Sequence, residues 1–147
     1  MFVTKNSSNP FNLAVVALNI FLGLSFVGAV LTGLWMNYAW AADNISLMRA
    51  VGAGHWACGM TMIVTGTIHI YINRWWYRRL CTVPSQSWGQ MASSRLLSLQ
   101  TLMFVVVAVT GLIIGFGRRY SLIDFHQGVA LLMALLCLVH IPARLIK

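Results

Sequence analysis

The sequence is poor in acidic side chains and in charge of either sign. Among 147 residues, Asp43 and Asp124 are the only acidic ones against ten Lys and Arg, and 8% of the chain is charged while 59% is apolar. A soluble domain carries about a quarter charged residues, so the composition excludes a water-soluble globule. The net charge of +8 lies in short clusters between apolar runs. That pattern favours contact with anionic membrane lipid over nucleic acid.

Cysteine is scarce, and several redox and binding motifs are missing. Cys58, Cys81 and Cys137 form no C-x-x-C pair, so no disulfide framework or zinc knuckle is indicated. The chain also has no flavin, iron–sulfur or nucleotide motif. The N-terminal segment has no small-residue cleavage site at the expected distance, and we interpret it as a retained anchor.

Four long apolar runs account for most of the sequence. Each has about 20 residues or more, the length at which a helix crosses some 30 Å of hydrocarbon. They predict an all-α, four-helix transmembrane bundle with up-down-up-down topology. The short connections leave no segment for a soluble domain, so we expect residues 1–147 to form one membrane domain. The runs cover Phe11 to Met36, Ala50 to Ile72, Leu96 to Phe116 and Leu122 to Ile141.

Basic residues are unevenly divided between the two membrane faces that this topology creates. Seven lie at the N-terminus, in the second connection and at the C-terminus, and three lie in the other two connections. By the positive-inside rule, both termini face the cytoplasm of a bacterial inner membrane. The larger group is Lys5, Arg74, Arg78, Arg79, Arg95, Arg144 and Lys147, and the smaller is Arg49, Arg118 and Arg119.

All four histidines lie inside apolar runs, where a titratable side chain is costly and usually functional. His55 and His69 are fourteen residues apart in the second run, and His126 and His140 are fourteen apart in the fourth. Fourteen residues rise about 21 Å over nearly four turns, so each pair lies on one helix face. In parallel helices, His55 is level with His126 near the periplasm, and His69 with His140 near the cytoplasm.

Two imidazoles facing each other in an apolar helical core are typical of a low-spin b-type haem, whose iron takes one axial nitrogen from each side. Three glycines share the helix face of the first histidine pair. They are Gly52, Gly59 and Gly66. We interpret them as clearance for a bulky group, with helix packing as the alternative. Met62 and Met133 lie between the two levels and are expected to fill the core.

The histidines also indicate an internal repeat. His55 and His126, and likewise His69 and His140, are separated by 71 residues. Two related helical hairpins would create two equivalent ligand pairs, which a chance distribution of core histidines would not.

The pattern resembles the haem-bearing four-helix bundle of the cytochrome b of bc complexes, which also has His, thirteen residues, His on its second and fourth helices. The segments GHWACGMTMIVTGTIHIYINRWW and FHQGVALLMALLCLVHI are similar to small four-helix cytochrome-b-like bacterial proteins. The resemblance implies two haems held by the same two histidine pairs. Cytochrome b places glycines fourteen apart on its first helix, whereas here Gly33 is matched by Asn19. The PEWY-type quinol loop is absent, so quinol bifurcation is not implied.

Cofactor and partner expectations follow from the two-haem hypothesis. Haem propionates need cations, and Arg118 and Arg119 on one side and Arg74 on the other are candidates, with topology-setting charge as the alternative. Two haems, about 21 Å apart by the helix rise, would carry electrons across the bilayer. The exchange partner is expected to be quinone or another subunit of a respiratory or other redox complex. Asp124, beside His126, either binds quinol or acts as an N-terminal helix carboxylate.

Two other functions remain open on the sequence. A pigment-binding or structural subunit is one, because membrane histidines also ligate chlorophyll magnesium, although chlorophyll takes a single axial histidine. A histidine-relay ion or proton transporter is the other. The near absence of carboxylates in the apolar runs disfavours a relay.

Overall fold

The computed structural model describes the backbone of residues 10–75 and 88–145, and the side chains of residues 13–75 and 95–138. Within these ranges the chain consists of helices and short turns, without a β-strand. The all-α class is therefore confirmed, and each long helix contains most of one predicted apolar run. The helices are α1 (Pro10–Ala41), α2 (Ile45–Ile72), α3 (Trp88–Gly117) and α4 (Ile123–Leu145), and a 3₁₀ turn, Tyr120–Leu122, precedes α4.

The helices form two compact hairpins, α1 with α2 and α3 with α4. In the first hairpin a three-residue turn reverses the chain, and Asp43 adopts a left-handed φ of 48°. Asn44 caps α2, because its Oδ1 accepts the backbone N–H of Leu47 at 3.0 Å and the hydroxyl of Ser46 at 2.9 Å. This cap satisfies one of the backbone donors that a helix leaves unpaired at its N-terminus.

The second hairpin turns more tightly. Arg118, directly after α3, has a left-handed φ of 50°, and the carbonyl of Arg119 accepts the N–H of Leu122 at 3.1 Å to close the 3₁₀ turn. Asp124 lies in the first turn of α4, where a carboxylate interacts favourably with the positive end of the helix dipole.

The hairpins bury few side chains and expose many large apolar ones. The buried side chains of the first hairpin include Met62, at 5% exposure, and those of the second include Met133, also at 5%. Large apolar residues such as Phe21, Leu24 and Leu138 are at least 60% exposed. An apolar exterior of this extent is typical of a protein whose solvent is lipid.

Within the described residues, three segments are long and apolar enough to cross a membrane: Leu13–Ala41, Arg95–Gly117 and Tyr120–Leu138. These segments indicate a membrane protein. Helix α2 has 28 residues, which is length enough, but its polar side chains keep it out of these three segments. Part of that polarity is satisfied internally, since the hydroxyls of Thr61, Thr65 and Thr67 each donate to the carbonyl four residues earlier, at 2.7–2.9 Å.

Candidate functional site

The imidazole of His55 is held against the partner helix of its own hairpin. Its Nδ1 lies 3.0 Å from the carbonyl oxygen of Ala29 and 3.2 Å from Oγ1 of Thr32, both on α1. A carbonyl oxygen can only accept, so Nδ1 is the protonated nitrogen and donates to Ala29. The Thr32 hydroxyl donates to the carbonyl of Gly28 at 2.6 Å, and its oxygen therefore also faces Nδ1 as an acceptor.

Gly33 lets the His55 ring approach α1 this closely. A Cβ at position 33 would lie 3.3 Å from Cε1 and 3.5 Å from Nδ1 of the ring. That separation is tighter than ordinary van der Waals contact, so a side chain there would push the ring away from the Ala29 carbonyl. The glycine at position 33 is therefore explained by the close approach of the His55 imidazole to α1.

His69 has a different acceptor on the same helix. Its Nδ1 lies 2.8 Å from Oδ1 of Asn19, an amide oxygen that can only accept. His69 is also fixed through its backbone, because its carbonyl accepts both the backbone N–H of Asn73, at 3.1 Å, and the side-chain amide of Asn73, at 2.8 Å. The ring and the backbone of His69 are therefore both positioned at the end of α2.

His126 repeats the arrangement of His55 in the second hairpin. Its Nδ1 lies 2.9 Å from Oγ1 of Thr110 on α3. The Thr110 hydroxyl is also within hydrogen-bond reach of the carbonyls of Val106 at 2.8 Å and Val107 at 3.2 Å, and when it donates to either of them its oxygen can accept the Nδ1 proton. A Cβ at Gly111 would lie 3.2 Å from Cε1 of His126. This glycine therefore allows the ring to approach α3 closely, as Gly33 allows the His55 ring to approach α1.

The three described imidazoles share one hydrogen-bonding pattern. In each, Nδ1 lies within hydrogen-bond distance of an oxygen on the partner helix, which favours the proton on Nδ1 and the lone pair on Nε2. Metal-binding histidines commonly make such a hydrogen bond through their other ring nitrogen, and it fixes the tautomer and orientation of the ring. His55 and His69 both turn toward α1, as their fourteen-residue spacing predicts.

His140 lies in α4, but its side chain is outside the described residues, so its ligand role stays a prediction. One turn earlier on α4, the Sγ of Cys137 accepts the amide N–H of Gln100 at 3.0 Å. The Oε1 of Gln100 is buried, and it has no hydrogen-bond partner in the part of the chain that the structure describes.

The three glycines of α2 have different surroundings. Gly66 is buried. A Cβ at Gly52 would meet only Cε of Met36, at 3.9 Å, and a Cβ at Gly59 would meet nothing within 4 Å. Packing between α1 and α2 therefore does not require glycine at 52 or 59, and the clearance interpretation of these two positions stays a prediction.

The candidate arginines lie at helix ends and are exposed. The guanidinium of Arg74 lies 4.3 Å from the centre of the Tyr71 ring. Stacking of this kind uses the face of the guanidinium and keeps its N–H groups in the plane, where an anion can accept them. Arg118 and Arg119 occupy the turn between α3 and α4, and both are exposed.

The sequence interpretation missed three residues that position the imidazoles: Thr32, Thr110 and Asn19. A signal for the two threonines was present, because Thr-Gly-Leu occurs at residues 32–34 and again at 110–112, once before each hairpin turn. Asn19 was interpreted only as a departure from a glycine pattern. In the structure its amide binds His69, and its fourteen-residue distance from Gly33 matches the spacing of the two histidines that α1 contacts.

No three His, Cys, Asp or Glu side chains cluster as a metal site among the side chains that the structure describes. Comparison of the chain with protein-family models, with curated proteins and with solved structures gives no match.

Proposed function

We propose that this protein transfers electrons across a membrane through two b-type haems, each bound by two histidines. His55 and His126 would hold one haem, and His69 and His140 would hold the other. The proposal rests on one observation above all. Each of the three described histidine rings has Nδ1 within 3.0 Å of an oxygen on its partner helix, an orientation that favours Nε2 as the nitrogen that would bind iron.

These residues fit a haem better than a bare metal ion. A site for a bare ion needs three or more protein ligands close together, whereas a porphyrin provides four nitrogens of its own and needs one imidazole on each face. When bound, haem would supply one-electron chemistry at its iron. The protein's part is to orient each imidazole, exclude water with its apolar helices, and fix the distance between the two levels by the rise of α2 and α4.

The four-span bundle and the internal repeat belong to the same proposal. Helix α2 is long enough to span, and its threonine hydroxyls are bonded within the helix, which lowers the cost of placing them in lipid. The repeat is supported by corresponding contacts, since Thr32 and Thr110 each approach a histidine Nδ1 at 2.9–3.2 Å. Met62 and Met133, 71 residues apart, are both buried. The charge distribution favours both termini in the cytoplasm of a bacterial inner membrane.

The arginines at the helix ends are the propionate partners in this proposal. Arg118 and Arg119 serve the periplasmic-side haem, and Arg74 serves the other. Electron exchange is with quinone or with a partner subunit of a respiratory complex, because the sequence has no other redox motif. Gly52, Gly59 and Gly66 give the haem edges room beside α2.

Variants that remove one imidazole at a time test the ligand assignments. We expect His55→Ala and His126→Ala each to lose one of two b haems per chain, and His69→Ala and His140→Ala each to lose the other, in a pyridine haemochrome assay normalised to protein. Met62→Leu is the matched control, because it alters a buried side chain between the two levels without removing an imidazole, and it should keep both haems. Full haem content in any histidine variant contradicts that residue's role as a ligand.

The same spectra separate the two other functions. A magnesium-porphyrin spectrum would favour a pigment-binding subunit. A colourless, folded protein after haem-replete expression would favour a histidine relay, and it would contradict the cytochrome proposal.

A further inference from the structure

The hydrogen-bond acceptors of the three described histidines are chemically different. His55 donates to a backbone carbonyl at 3.0 Å, and Nδ1 of His126 lies 2.9 Å from a threonine hydroxyl. His69 donates to a side-chain amide oxygen, that of Asn19, at 2.8 Å, which is the shortest of these contacts. Asn19 is itself half-buried, so water competes weakly for this bond.

We propose that Asn19 is a positioning residue that lowers the reduction potential of the haem at the His69 level. This inference rests on the proposed function. An acceptor on Nδ1–H draws the proton toward itself and makes Nε2 a stronger electron donor. A stronger donor favours the oxidised form of the iron it binds, which is one of the ways in which a protein sets a haem potential. Asn19 acts on His69 alone, so the two haem levels become inequivalent.

The position of Asn19 on α1 supports its role in positioning His69. Gly33, fourteen residues further on, lies against His55, so both positions of α1 face the histidine stripe of α2. A glycine at position 19 would leave the Nδ1 proton of His69 without this acceptor. Ser25 lies between the two positions along α1 and is buried, but its hydroxyl donates to the carbonyl of Leu22 at 3.1 Å. Ser25 is therefore a polar control on the same helix that contacts no histidine among the described side chains.

Optical redox titration of the purified protein tests the proposal. We expect Asn19→Leu to raise the midpoint potential of the component that His69→Ala abolishes. At the wild-type midpoint, its ratio of reduced to oxidised haem should rise about tenfold, which is 59 mV for one electron. Asn19→Asp, a stronger acceptor, should shift the same component in the opposite direction. Ser25→Ala should shift neither component.

A measurement on the haem-free protein tests the proposal even if a variant does not fold with haem. With ¹⁵N-labelled histidine, the wild-type ring of His69 should give the Nδ1–H tautomer in NMR spectra, and Asn19→Leu should shift its population toward Nε2–H. A wild-type His69 in the Nε2–H tautomer would overturn the proposal, even if no variant could be purified with haem.

The outcomes distinguish this inference from the function on which it rests. Two bound haems with unchanged potentials in both Asn19 variants would overturn the role of Asn19 and leave the cytochrome proposal standing. A wild-type protein that binds no haem would overturn the cytochrome proposal itself.

Discussion

Substitution of Gly33 by alanine tests how closely the His55 ring packs against α1. In an open helical position, Gly→Ala stabilises by about 0.5–1 kcal/mol, because alanine loses less backbone entropy on folding. At position 33 the new Cβ would lie 3.3 Å from Cε1 of the ring. The ring must then retreat by a few tenths of an ångström, and that movement lengthens its 3.0 Å hydrogen bond to the Ala29 carbonyl. A weakened buried hydrogen bond costs about 0.5–1.5 kcal/mol.

The two effects nearly cancel, so we expect Gly33→Ala to leave the free energy of unfolding about unchanged. Gly23 is the matched control, since it lies on the same helix and a Cβ there would meet nothing within 4 Å. Gly23→Ala should be more stable than Gly33→Ala by about 1 kcal/mol, a factor of about five in the folding equilibrium. The assay is unfolding of the protein in mixed micelles with increasing SDS, followed by tryptophan fluorescence. Equal stabilisation by both substitutions would refute the close contact between the His55 ring and position 33.

Further predictions concern the turns and the closest helix contact. Arg118→Gly should stabilise the fold by up to about 1 kcal/mol, because a φ of 50° strains a residue with a Cβ. Asp43→Gly should stabilise it less, since Asp tolerates this backbone region better. A loss of stability in both variants would contradict the turn geometry. Asn44→Ala should cost about 1 kcal/mol by removing the N-cap of α2, visible as a lower SDS midpoint, and an unchanged midpoint would count against the cap. Gly28→Ala should destabilise, because its Cβ would lie 2.8 Å from Sγ of Cys58; addition of Cys58→Ala should restore most of the loss, and failure to do so would contradict that contact.

The helices could be predicted from the sequence because apolar runs of membrane-spanning length are a strong signal, but their ends could not. The run that ends at Met36 predicted a helix end there, whereas α1 continues to Ala41. Likewise α2 begins at Ile45 and not at Ala50. Hydropathy identifies only the part of a helix that contacts lipid. Backbone hydrogen bonding extends each helix beyond that part, and α2 begins where the side chain of Asn44 accepts one of its unpaired backbone N–H groups.

The histidine stripe could be predicted because fourteen residues nearly complete four helical turns, whereas the partners of each ring depend on packing within a hairpin. The distance along the chain from Thr32 to His55 differs from that between Thr110 and His126, since the first hairpin extends further beyond its histidine before it turns. The sequence periodicity of α2 and α4 therefore does not specify which residue of α1 or α3 each ring meets. Only the contact between packed helices assigns Asn19 to His69.

Binding of two b-type haems is the proposal on which the other assignments depend. The most direct test is the reduced-minus-oxidised absorption spectrum of the wild-type protein, purified after haem-replete expression, with the haem counted per chain by the pyridine haemochrome assay. If the chain binds two b-type haems, we expect low-spin b-type α and β bands and two haems per chain. A folded, helical protein without these bands would contradict it.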